Sequence, residues 1–182
     1  MITTRADFNY EPYNIPNLDK VGGNFDIFRA DQEAVILKSL LGISLYQDFI
    51  NGIAEDYPEQ KWVDLNAGKT YQVDGLTYEW AGFLGRNGAL VPAIYAEWLR
   101  ATYDNHTGVG ITVSRVENAE KISPSLRISR AQTNFKNLVG CQAKNGFAAN
   151  FKNTLYGFLI INAVDYPNLV WTDPGSINIF DL

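Results

Sequence analysis

Residues 69–82 read KTYQVDGLTYEWAG. An Asp-Gly pair between alternating apolar and polar residues is the strongest short-range hairpin signal, because a type I′ turn needs φ > 0 at both central positions. With Asp74 and Gly75 in the turn, Val73 pairs with Leu76, Tyr71 with Tyr78 and Lys69 with Trp80, so the apolar members share one face. Thr70, Gln72, Thr77 and Glu79 take the other face. Two strands alone are barely stable in water, so the aromatic face must lie on the chain's own helices or on another molecule.

Helical periodicity surrounds this hairpin. Val35, Ile36, Leu40 and Leu41 fall on one helical face with Asp31 as the expected N-cap; Gly42 interrupts, and Leu45, Tyr46, Phe49, Ile50 and Ile53 resume the stripe after Ser44. Residues 89–103 predict a third helix with Pro92 in its first turn and Val91, Ile94, Tyr95, Trp98 and Ala101 buried. The stretch GVGITVSRV, 108–116, alternates as a strand does. Ser123 and Pro124 open a fourth helix expected to run to about Lys144, and Phe147, Phe151, Leu155, Phe158 and Ile161 define a fifth. Residues 1–23 and 165–182 carry prolines, glycines and aromatic residues without periodicity and read as extended arms, which either fold back on the core or reach a neighbour. The expected fold class is therefore mainly α: about five helices over 24–164 with an inserted β-hairpin at 69–82, one further strand, and N- and C-terminal arms.

Charge is distributed unevenly along the 182 residues. Residues 1–91 hold 7 basic and 13 acidic side chains, whereas Lys121 to Val164 holds six basic residues and no acidic one. On the fourth helix Ala131, Phe135, Leu138 and Val139 cluster, and Arg127, Arg130, Asn134, Asn137 and Lys144 occupy the opposite arc. That arc is either a solvated face or a surface for an acidic partner or nucleic acid. No apolar run reaches the roughly 18 residues that span a bilayer, and the first residues lack the charged-then-apolar order of a signal peptide.

Catalytic signals are thin. Cys141 is the single cysteine and His106 the single histidine, which excludes an internal disulfide and a soft-ligand zinc set. His106 lacks an activated serine and an orienting acid in any motif, and TGVGITV does not have the spacing of a dinucleotide loop. Glu55, Asp56 and Glu59 read as a solvated acidic turn, since hard cations need several oxygens at fixed spacing. The expectation is a protein that is not an enzyme and carries no cofactor and no metal. A hydrolase using His106 and a monomeric module binding a small ligand or glycan on the aromatic hairpin face are the competing readings.

The order LLGISLYQDFINGI, KWVDLNAGKTYQVDGLTYEWAGF, a helix with YAEWLR, then TGVGITVSRVENA resembles the head-tail connector (adaptor) family of tailed bacteriophages, in the branch found in phages of Bacteroides and relatives, the crAss-like phages among them. The resemblance covers about residues 35–120. It implies a structural virion protein, made in the host cytoplasm, that forms a ring of about twelve copies beneath the portal protein. The ring would link the capsid to neck or tail proteins, and genomic DNA would pass its lumen without sequence-specific contacts. Partner contacts are then expected at Tyr71, Asp74, Gly75 and Tyr78 of the hairpin, at Arg127, Arg130 and Lys144, and at Trp171, Ile177 and Phe180 of the tail.

Overall fold

The longest element, α1 (Leu18–Ile53), is broken where the sequence has Gly42, whose φ of 74° and ψ of 164° are not helical. Before the break Ile36, Leu37, Leu40 and Leu41 are buried; after it Leu45 and Phe49 are, while Val35 is exposed, contrary to its expected place on the stripe. The computed structural model describes residues 1–15, 18–104, 124–140 and 151–169. Within them the chain is mainly helical with one two-stranded antiparallel sheet.

The expected helix start at Asp31 lies well inside α1. Gly22 and Gly23 are poor helix formers, but the first turns gain tertiary burial that local propensity does not report. Phe25 is fully buried, edge-on to Phe8 at 4.9 Å and to Trp98 at 5.1 Å, and Phe28 meets Trp98 at 5.3 Å. The first residues are correspondingly not an extended arm. Thr4 and Asp7 form a reciprocal capping box around a 3-10 turn, Arg5–Phe8, and Ile2, Phe8 and Ile15 enter the core. The buried Glu33 carboxylate accepts the backbone N–H of Ile2 at 2.7 Å, that of Thr3 at 2.9 Å and the Thr3 hydroxyl at 2.8 Å. Arg29, also buried, donates to the Thr3 carbonyl.

A helix not foreseen, α2 (Gln60–Ala67), precedes the hairpin and buries Trp62, Asp64 and Leu65. Asp64 is satisfied by Gln60 Nε2 at 2.7 Å and Lys69 Nζ at 2.5 Å. Strands β1 (Lys69–Val73) and β2 (Leu76–Trp80) pair in the register the sequence dictates, with Asp74 at φ 53° and Gly75 at φ 78° in the turn. Helix α3 (Leu90–Asp104) buries Val91, Ile94 and Tyr95 and packs on α1 and α4 (Pro124–Val139), which buries Ala131, Phe135 and Val139.

Helix α4 ends at Val139, five residues before the expected Lys144, and Gly140 follows it at φ 96°. A side chain at 140 would meet Thr154 Oγ1 at 2.6 Å, so this backbone closes directly on the next segment. The expected helix from Phe147 begins instead at Leu155: a 3-10 turn, Phe151–Asn153, leads to α5 (Leu155–Ile161), and Thr154 caps it by accepting the Gly157 N–H at 3.2 Å. The C-terminal boundary shifts as well. Tyr166, placed in an arm by the sequence, is buried; its hydroxyl donates to the Lys61 carbonyl at 2.7 Å and its ring packs on Trp62 and Phe158. The bundle therefore runs on to Leu169, which packs against the core. The strand expected at 108–116 and the tail residues from 170 onward lie outside the described residues. No helix among the described residues is long and apolar enough to cross a membrane.

Glu33→Gln is expected to cost about 1–3 kcal/mol, because an amide offers one acceptor where two oxygens now receive three donors. Denaturant titration measures the loss, and hydrogen exchange should show faster exchange at the Ile2 and Thr3 amides. Unchanged stability and exchange would show that the carboxylate does not hold the first residues in place.

Candidate functional site

Two surfaces bring together residues singled out from the sequence. The first is the hairpin. Its base is fixed by Trp80, almost fully buried, whose indole N–H donates to the Leu65 carbonyl at 2.9 Å and whose ring stacks on Phe158 at 6.5 Å. Tyr71 is half-buried against Phe158 and Tyr78, and its hydroxyl donates to the Lys152 carbonyl. Lys152 Nζ lies 4.9 Å from the centre of the Tyr78 ring and 3.6 Å from Asp74 Oδ2. The aromatic face is thus covered by the chain's own 151–158 segment, and the turn residues Asp74 and Gly75, with Leu76, remain exposed.

The two edges of the hairpin differ. With a two-residue turn, Val73–Leu76, Tyr71–Tyr78 and Lys69–Trp80 exchange the ladder hydrogen bonds, and the main-chain groups of Thr70, Gln72, Thr77 and Glu79 point outward. On the β2 side the Glu79 N–H donates to Asn153 Oδ1 at 2.8 Å. On the β1 side, among the described residues, no hydrogen bond reaches the outward groups of Thr70 or Gln72. The hairpin therefore presents one covered edge and one open edge.

The second surface is a groove of about 320 Å³ between residues 11–13 and the first half of α4. Arg127 and Arg130 lie along it, and Pro12, Tyr13, Tyr95 and Ala131 give it an apolar lining. Tyr13 packs edge-on to Tyr95 at 5.5 Å, and its oxygen accepts from Asn134 Nδ2 at 2.8 Å, which leaves the phenol hydrogen free to donate. Burial pushes the Tyr13 phenol above its ordinary value, so it stays protonated at neutral pH. Among the described residues no carboxylate pairs with Arg127 or Arg130, and Glu11 stands at the groove's edge. Sequence reasoning found the two arginines and missed Tyr13 and Tyr95, because the contact joins positions 121 residues apart in the case of Tyr13 and Asn134.

Lys144, Trp171, Ile177 and Phe180, and the weighed candidates His106 and Cys141, lie outside the described residues. Among the described residues no group of three or more His, Cys, Asp or Glu is placed to hold a metal ion. No protein-family model matches the chain, and neither a curated protein nor a solved structure does.

Desolvation by burial, helped by the neighbouring Tyr78, pushes the Tyr71 phenol up to about 12. A group whose folded pKa is raised supports the fold fully below its unfolded value, near 10, and loses that support as pH rises toward 12. Tyr71→Phe should therefore flatten the stability loss between pH 10 and 12, while costing about 0.5–1.5 kcal/mol at neutral pH for the lost bond to Lys152. Denaturant titrations at stepped pH measure both. An unchanged alkaline slope would show that Tyr71 does not tie the hairpin down.

Proposed function

We propose that this chain is a structural virion subunit, a head-tail connector of a tailed bacteriophage that forms a ring beneath the portal protein and joins the capsid to neck or tail proteins. One observation carries the reading: a hairpin anchored at its base on a helical body and open along the β1 edge. An open strand edge is a template for pairing with another chain, which free-standing proteins normally blunt and assembling ones use. The hairpin sits in the stretch, residues 35–120, whose order of motifs resembles the connector family. In this reading Asp74, Gly75 and the β1 edge meet a neighbouring subunit, Trp171, Ile177 and Phe180 reach a partner, and the genome passes the lumen without sequence-specific contact.

The competing picture, a small-ligand or glycan module on the hairpin's aromatic face, is disfavoured by the geometry. Stacking a sugar needs an open ring face, and Tyr71 and Tyr78 are already engaged by Phe158 and Lys152. A connector does not need that face open. It needs a rigid support that holds the free edge in one orientation.

Electron microscopy of the purified protein, alone and with the portal, tests the proposal. Rings are expected in at least one of the two states. Asp74→Val with Gly75→Val should reduce ring formation by at least about tenfold while the helical bundle keeps its circular dichroism, because β-branched residues resist φ > 0 and the strands lose their register. A protein that stays monomeric in both states would contradict the connector reading; rings formed at the native level by the folded double variant would remove the hairpin from the assembly.

A further inference from the structure

The turn between α1 and α2 reads Glu55-Asp56-Tyr57-Pro58-Glu59. Tyr57 is 92% exposed, the most exposed aromatic side chain among the described residues, and Glu55, Asp56 and Glu59 around it are exposed too. Glu59 is partly offset by Lys61 at 2.9 Å; Glu55 and Asp56 have no cation against them among the described residues. The turn does not need this tyrosine for its own structure, since the ring makes no hydrogen bond and no aromatic contact there. An aromatic ring held out in water between carboxylates is a feature of recognition surfaces, where tyrosine supplies large contact area at low entropic cost.

The groove on α4 has the complementary properties. Its lining from Pro12, Tyr13 and Tyr95 is apolar, its volume of about 320 Å³ accommodates a tyrosine ring, and Arg127, Arg130 and the Tyr13 hydroxyl offer donors at its edge. Each of those donors lacks a carboxylate partner within the described chain. A phosphate backbone would use the arginines but would leave the aromatic lining unfilled.

We infer that the groove of one copy of this chain receives the 55–59 turn of a second copy, with Tyr57 entering the aromatic lining and the carboxylates of Glu55 and Asp56 meeting Arg127, Arg130 and the Tyr13 hydroxyl. The inference rests on the ring reading above and adds to the β1 edge a second contact between its neighbours. The two surfaces share no residue. The turn follows the end of α1 and opens α2, whereas Arg130 and Arg127 lie about 15–20 Å along α4 from Gly140, where that helix meets the 151–154 segment. Each copy can therefore give one contact and take one. Such a head-to-tail interface closes into a ring when the rotation between copies allows it, and arginine–carboxylate pairs fix the orientation in which the copies meet.

The test uses two surface variants of the full chain, Tyr57→Ser and Arg127→Glu with Arg130→Glu, followed by sedimentation velocity at protein concentrations up to about 100 µM in low salt. The native chain should self-associate, and each variant alone should associate at least about tenfold more weakly. Mixed one to one, the variants should form a dimer that grows no further, because a single intact turn meets a single intact groove. If the charge-reversed protein misfolds by circular dichroism, Arg127→Gln with Arg130→Gln takes its place with the same expectation. Variants that assemble as the native chain does would overturn the contact while leaving the ring itself standing. A native chain that stays monomeric at about 100 µM would also overturn it, and the electron microscopy with portal would then decide the ring reading separately. Binding of DNA by the groove without self-association would assign the arginines to phosphate instead and likewise defeat the inference.

Discussion

The buried indole of Trp80 is the contact on which the rest of the arrangement depends. It closes the hairpin, bonds the carbonyl at the end of α2, stacks on Phe158 of α5 and lies edge-on to Phe83 at 5.4 Å. Phe83 continues to Phe49 on α1, and Phe49 to Trp62 on α2, so one aromatic cluster ties the strands to three helices. Aromatic pairs in offset or edge-on geometry each add about 0.5–1.5 kcal/mol beyond the area they bury. A two-stranded sheet that would not persist alone is thereby made rigid at its base. Without that anchor the free β1 edge would have no defined direction.

The close backbone approach at the foot of the hairpin follows from the same packing. Gly82 adopts φ 81°, and a Cβ there would lie 2.5 Å from the carbonyl carbon of Ala67 and the nitrogen of Gly68. The chain leaves β2, passes over the end of α2 with Phe83 and Leu84 donating to the Asn66 carbonyl, and enters α3 within a few residues. The strands and the helices are in this way parts of one core, which is why motion of the hairpin relative to the bundle is expected to be small. The proposed role, joining two subunits in a fixed geometry, would need that property.

How much of this was legible in the sequence depends on how local its cause is. The hairpin register was readable because Asp-Gly and a period of two act within a dozen residues, and the buried faces of α3 and α4 were readable from helical spacing. The start of α1 was not, because Phe25 is buried against Trp98, Phe28 packs edge-on to the same ring, and Ile2 and Thr3 are held by Glu33, through contacts formed only after folding. Helix α2 has eight residues, too few for a periodic signal to stand out. The lengths of α4 and α5 were misjudged because Gly140 and Thr154, packed against each other, end one helix and begin the other. Arg127 and Arg130 were visible as a polar arc, but the groove beside them depends on Tyr13 arriving from the other end of the chain.

The central claim is that the β1 edge is open in the isolated chain and becomes an interface in the assembly. Hydrogen exchange at the outward amides of Thr70 and Gln72 measures this directly, with the Glu79 amide, bonded to Asn153, as an internal reference. The account predicts fast exchange at Thr70 and Gln72 in the free protein and strong protection once rings form, with Glu79 protected in both states. Protection of Thr70 and Gln72 already in the monomer, or none in the assembled ring, would contradict it.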